Sequence, residues 1–253
     1  MIAKTIFLLF LIVFVGGLWI SRSVYAASPL ALDGVGVNNC PLRAFCSSQS
    51  LTTTRGHDVV LLIFECVGGL IPCEGSAVSI NSESLTFIQR LSYANSSNAM
   101  LQLFEYYAVS TSLLRSENIT VIVPNHFILG MQVFAVSGAN TREIFDPDPS
   151  VPATVSYTLS DCSTAHDTCS ASIHTSAKDF VVASTFLDDA PGCGAVHSPE
   201  VQVPGFTNIS TPNGWFEVDY TIGNTPRSNV TFSCNSTDVV VIVLDAISFH
   251  ALR

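Results

Sequence analysis

The stretch Asp58–Glu65 (DVVLLIFE) constrains this chain more than any other, because its apolar residues follow one another without a helical or alternating interruption. A short continuous run of this kind reads as a strand buried on both faces. Further apolar segments follow at short intervals: Val78–Ile80, Leu85–Leu91, Met100–Ala108, Ile119–Val123 and Met131–Ser137. Turn residues such as Asn95-Ser96-Ser97-Asn98 separate them. The second half continues with Thr154–Leu159, Ser170–Thr175, Phe180–Leu187, Trp215–Ile222, Asn229–Cys234 and Val239–Phe249. The one helix candidate, Phe104–Leu114, is rich in aromatic and β-branched residues and favours strand. About eleven short strands predict an all-β chain, a β-sandwich of jelly-roll or Greek-key type.

The two halves echo one another. Asp58-Val59-Val60-Leu61, Asp179-Phe180-Val181-Val182 and Asp238-Val239-Val240-Val241 each place an acid before an apolar run. Two tandem domains would explain that, but no clean linker divides the chain. One sandwich over residues 55–253 with pseudo-symmetric sheets is the preferred expectation, preceded by an extension over 27–54.

Residues 1–26 read as a secretory signal: Lys4, an apolar run from Ile6 to Ile20, and Val24-Tyr25-Ala26 as a small-x-small cleavage site. The run is about 15 residues, short of the roughly 20 that span a bilayer. No later segment predicts a membrane span. Export gives the eight cysteines a meaning as disulfides rather than zinc ligands, since no Cys-x2-Cys pair exists. Their spacing suggests Cys40–Cys46, Cys66–Cys73, Cys162–Cys169 and the long bridge Cys193–Cys234. Five Asn-x-Ser/Thr sequons, at Asn95, Asn118, Asn208, Asn229 and Asn235, predict a glycosylated surface and an archaeal or eukaryotic source.

Charged residues make up 12% of the chain against 48% hydrophobic, which excludes disorder and predicts a large core. Once the basic leader is removed, 8 bases face 20 acids. That balance argues against nucleic acid and anionic lipid as partners.

Catalytic signatures are missing: no Gly-x-Ser-x-Gly, no His-Glu-x-x-His, no phosphate-cradling glycine loop. The six histidines offer no ligand spacing. No catalytic residue, metal ligand or cofactor is therefore assigned. Calcium is the one ion whose hard oxygens the loops offer, at Asp146, Asp148, Asp188 and Asp189. Glu65 and Glu105 would form the carboxylate pair of a glycoside hydrolase. Tyr93, Phe104, Tyr106 and Tyr107, or Trp215, Phe216 and Tyr220, would line a sugar-binding face. Inward-facing strand positions explain the same residues.

The segment Ala27–Asn38 is apolar and precedes the sandwich. Leu30, Leu32, Val35 and Val37 alternate across a phase break at Asp33-Gly34. Such a strand would add to the open sheet edge of a neighbouring subunit, or to its own sheet.

Gly56-His57-Asp58, Leu101–Ala108, Glu117-Asn118-Ile119-Thr120-Val121 and Val133–Ala139 together carry a resemblance. Their order resembles secreted jelly-roll-like β-sandwich modules of archaeal, bacterial and phage surface proteins, over about residues 55–250. The resemblance implies surface display, attachment or assembly. The disulfides and sequons depart from its usual pattern and point to a host envelope. The sequence thus predicts a secreted, glycosylated, non-enzymatic surface protein with a structural or adhesive role. It would associate with itself in a filament or envelope, with other surface proteins, or with glycans. The alternative is a carbohydrate-binding module or secreted glycoside hydrolase.

Overall fold

The computed structural model describes residues 29–39, 47–68, 72–73, 78–95, 100–157, 169–187, 193, 203–209, 216–234 and 239–249. The expected signal segment lies outside them, as do Cys40, Cys46, Cys162, Asn235, Asp188, Asp189 and Trp215. The described residues form strands and no helix. The first half contains β1 (Ala31–Val35), β2 (Val37–Asn38), β3 (Ser48–Leu51), β4 (Val59–Gly68), β5 (Ser79–Asn81), β6 (Ile88–Ala94), β7 (Leu101–Val109), β8 (Glu117–Ile122) and β9 (His126–Ser137). The second contains β10 (Ala153–Ser156), β11 (Cys169–Thr175), β12 (Asp179–Leu187), β13 (Thr207–Asn208), β14 (Phe216–Gly223), β15 (Arg227–Cys234) and β16 (Val239–Ser248).

The strands pair antiparallel into four sheets. An inner sheet of the first half has the order β1-β9-β4-β7-β6, and its outer sheet β2-β3-β8-β5. An inner sheet of the second half has the order β10-β16-β12-β14-β13, and its outer sheet β11-β15. Strand for strand, β1, β9, β4, β7 and β6 correspond to β10, β16, β12, β14 and β13. The outer pair β3-β8 corresponds to β11-β15.

The register makes this equivalence residue-specific. Val59, next to Asp58, lies between Val109 and Val136. Phe180, next to Asp179, lies between Ile222 and Ile247. Counting along the strands, Tyr107 matches Tyr220, and Ala135-Val136-Ser137 matches Ala246-Ile247-Ser248. The expected all-β sandwich is therefore present, and the echo between halves is a repeat of the whole topology.

Three apolar cores separate the four layers. Val60, Leu62, Phe64, Phe104, Ile119, Val121 and Val133 fill the space between the first outer and inner sheets. Ala171, Ile173, Val181, Phe232, Ile242 and Leu244 do the same in the second half. The third core joins the two inner sheets face to face: Val59, Leu61, Ile63, Phe134 and Val136 meet Phe180, Val182, Phe186, Val218 and Val243. Successive residues of a strand point to opposite faces. This explains Asp58–Glu65: β4 has a neighbouring sheet on each side, so both sets of side chains must be apolar. The inner sheets approach closely enough that a Cβ at Gly130 would lie 2.3 Å from Cβ of Phe216.

Two expected disulfides are formed, Cys66–Cys73 and Cys193–Cys234, with S–S distances of 2.06 and 2.11 Å. Cys169 is also disulfide-bonded, and no described cysteine is free. Among the described residues no helix is long and apolar enough to cross a membrane, which leaves strands unaddressed.

Candidate functional site

The residues expected to act in assembly, Leu30, Leu32, Val35 and Val37, lie on or beside β1 and β2. β1 sits at the edge of the first inner sheet and pairs with β9 of its own chain, Ala31 opposite Ser137 and Val35 opposite Phe134. Leu30 is 9% exposed and belongs to the core between the inner sheets, with Leu32 packed against it. Val35 and Val37 face outward instead, at 36% and 68% exposure. The phase break at Asp33-Gly34 is a bulge, where the register with β9 shifts between Leu32 and Gly34. It rotates the strand so that its second half passes to the outer sheet, where Val37 pairs with Ser50. The N–H of Gly36 donates to the Val133 carbonyl, 2.7 Å, at the crossing.

The bulge places Asp33 against the loop that enters β4. Its carboxylate accepts hydrogen bonds from the N–H groups of Thr54 and Arg55, each 2.9 Å, and from the Thr54 hydroxyl. Burial opposes its ionisation, but these donors and the carboxyl of Asp58 outweigh burial and lower its pKa. Asp58 itself is 1% exposed. Burial, with the adjacent Asp33, pushes its pKa up to about 7, and Arg55 only partly offsets this.

The second repeat builds the same device. Asp146 accepts from the N–H and Oγ of Ser176, each 2.9 Å, and from the N–H of Asp148, 2.8 Å. Asp179, at the head of β12, is fully buried. Burial again comes first among the causes that push its pKa up to about 7; Thr175 and Arg227 oppose the rise, and Asp146 adds to it. Sequence reading marked Asp58 and Asp179 but missed their partner acids.

Asp146 and Asp148 are thus turn-capping acceptors, since Asp148 also accepts from the N–H and Oγ of Ser150. Among the described residues no group of three His, Cys, Asp or Glu could hold a metal.

Glu65 and Glu105 are fully buried. Burial raises both pKa values well above the carboxylate range; for Glu105 the charge of Asp245 adds to this and Arg90 opposes it. Glu105 lies beside the ion pair that ties the repeats together, in which Nε of Arg90 donates to Oδ2 of Asp245, 2.8 Å. The same guanidinium stacks 3.9 Å over the ring of Phe145. Both side chains are closed from solvent. The aromatics of the sugar-face expectation are also largely interior. Phe104 stacks on Phe64 at 5.0 Å, and Tyr220 on Phe180 at 4.9 Å.

The described sequons divide by environment. Asn95 is 3% exposed and donates from Nδ2 to the Tyr157 carbonyl, 2.8 Å. Asn208 is half-buried on β13, opposite Asp219 of β14. Asn118 and Asn229 are exposed on β8 and β15.

Compared with known proteins, the chain matches no family model, no curated protein and no solved structure.

Proposed function

We propose that this chain is a secreted, non-enzymatic surface protein that assembles with copies of itself, donating its N-terminal strand to a neighbour. One observation carries this reading: β1 is the first described strand and lies at a sheet edge, and Leu30 just before it and Leu32 within it pack into a core made by other elements. A strand of this kind makes the same contacts whether it comes from its own chain or another. Donated in trans, Leu30 and Leu32 fill the groove beside β9, and each subunit offers its own strand onward. Disulfide staples suit an oxidising exterior. The role is structural or adhesive, in a filament or envelope.

The test is electron microscopy and light scattering of the exported full chain beside a variant lacking residues 27–38. Detergent-resistant polymers formed by the full chain and lost on deletion support the proposal. Monomers of the full chain at every concentration overturn it. Addition of a peptide of residues 27–38 to the deletion variant separates loss of the donor strand from loss of the fold.

A further inference from the structure

Two of the sequons stand at one position of the repeated fold. Asn118-Ile119-Thr120-Val121 runs through β8, and Asn229-Val230-Thr231-Phe232 runs through its counterpart β15. In each, the apolar pair points inward: Ile119 and Val121 in one, Val230 and Phe232 in the other, are all buried. The Asn and Thr therefore lie on the solvent face of an outermost sheet. The neighbouring strand supplies a matching hydroxyl. Ser48 Oγ lies 2.9 Å from Thr120 Oγ1, and Ser172 Oγ lies 2.8 Å from Thr231 Oγ1. Both amide oxygens are held by acceptor hydrogen bonds. Oδ1 of Asn118 accepts from Ser48 Oγ and Asn39 Nδ2, and Oδ1 of Asn229 accepts from Thr231 Oγ1.

The layer order puts these faces on opposite outsides of the stack, since the inner sheets meet each other. Asn95 contrasts with them: it is buried and its side chain donates to the Tyr157 carbonyl within the fold. Asn95 is 3% exposed, so a sugar on its Nδ2 has no space in the closed fold.

We infer that Asn118 and Asn229 are a pair of N-glycan attachment sites, one on each outer face, and that both faces are thereby closed to sheet-on-sheet association. The inference rests on the export reading and is independent of strand donation. The reaction needs an activated oligosaccharide, a glycosyl polyprenyl diphosphate. The side-chain amide nitrogen attacks the anomeric carbon, forming the C–N bond. The bond from that carbon to the phosphate oxygen breaks, the polyprenyl diphosphate leaves, and the amide gives up one proton. With its flat faces covered, the subunit has its sheet edges left for association, where β1 lies.

The test is glycopeptide mapping of the full chain secreted by insect cells, with amidase release marking each occupied Asn by conversion to Asp. Conversion at Asn118 and Asn229, with Asn95 unmodified, is the expected result. Thr120→Ala and Thr231→Ala each remove one glycoform from the intact mass, while Thr120→Ser and Thr231→Ser keep both. Secreted, disulfide-bonded chain with neither site converted, or with Asn95 converted, overturns the inference and leaves export standing. Chain retained in the cytosol with its cysteines reduced overturns both.

Discussion

Phe134 of β9 lies over Phe180 of β12, ring centroids 6.1 Å apart and planes 28° from parallel, across the boundary between the two repeats. Both side chains are fully buried. The repeats therefore share a core. Truncation of a buried phenylalanine costs about 3 to 5 kcal/mol. Phe180→Ala is expected to lower the unfolding midpoint of the whole chain in one transition, followed by circular dichroism and by tryptophan fluorescence. Two separated transitions, only one of them shifted, would show that the repeats unfold independently.

Arg90 offers a second probe of the same boundary. Asp245 has no exposed surface, and Glu105 is buried beside it. Removing the cation leaves Asp245 without the charge that offsets its desolvation, and breaking a buried pair this way costs about 3 to 5 kcal/mol. Arg90→Met retains much of the packing over Phe145 and loses the charge. Its destabilisation is expected to be largest near neutral pH and to shrink in acid, where Asp245 takes a proton and needs no partner. Urea midpoints at pH 4 and pH 7.5 decide this; an equal loss at both would assign the effect to packing alone.

The bridges differ in what they restrain. Cys66–Cys73 closes a short loop, with a sequence separation of 7, whereas Cys193–Cys234 has a separation of 41. In the chain-entropy account the first contributes about 2 to 3 kcal/mol and the second about 4. The long bridge also fixes the Cys193 N–H, which donates to Oε2 of Glu217, 2.6 Å. Replacing both cysteines of each pair by serine is expected to lower the denaturation midpoint more for the long bridge. The reverse order would show that packing outweighs loop closure.

Strand positions were legible because burial demands apolar side chains: Phe180–Leu187 became β12 with one residue added, and Asp58–Glu65 marked β4, which runs on to Gly68. What covers a buried face was not legible. An apolar run records that two faces are covered, and says nothing of which sheets cover them, so the stacking of one repeat on the other stayed hidden. β3 (SQSL) escaped notice because its role is polar. Gln49 plugs the edge of β9, donating to the Met131 carbonyl at 2.7 Å and accepting from the Val133 N–H at 2.8 Å. Asp58 and Asp179 are true equivalents. The third echo at Asp238 is not, since Val239 opens β16, the counterpart of β9 rather than of β4. The partner acids are remote in sequence from the residues they meet: Asp33 arrives on the edge strand β1 and Asp146 on the loop before β10. Leu30 and Leu32 stand out by alternation alone, which is silent on whether the sheet that receives them belongs to the same chain.

The acid pairs give stability a direction in pH. Asp58 and Asp179 have folded pKa values raised to about 7, and burial with the adjacent charge of Glu217 raises Asp219 to about 9. In the unfolded chain such groups titrate near 3.9. Between the two values the folded state holds more protons than the unfolded one, so stability falls as pH rises. Asp33 and Glu117 act oppositely. Their lowered values contribute stability above the ordinary carboxylate range that is lost as pH falls through it. Maximum stability is therefore expected in mild acid, about pH 4 to 5, with a decline towards pH 8. Charges facing the pairs, Arg55 at Asp58 and Arg227 at Asp179, moderate the slope without changing its sign. Asp58→Asn together with Asp179→Asn places a neutral donor where the proton sat. It should make the decline between pH 5 and pH 8 shallower, leaving the part set by Asp219, with the acid limb intact. Thermal midpoints across that range provide the measurement, and a double variant whose midpoint still falls as steeply as the parent's would remove these pairs as its cause.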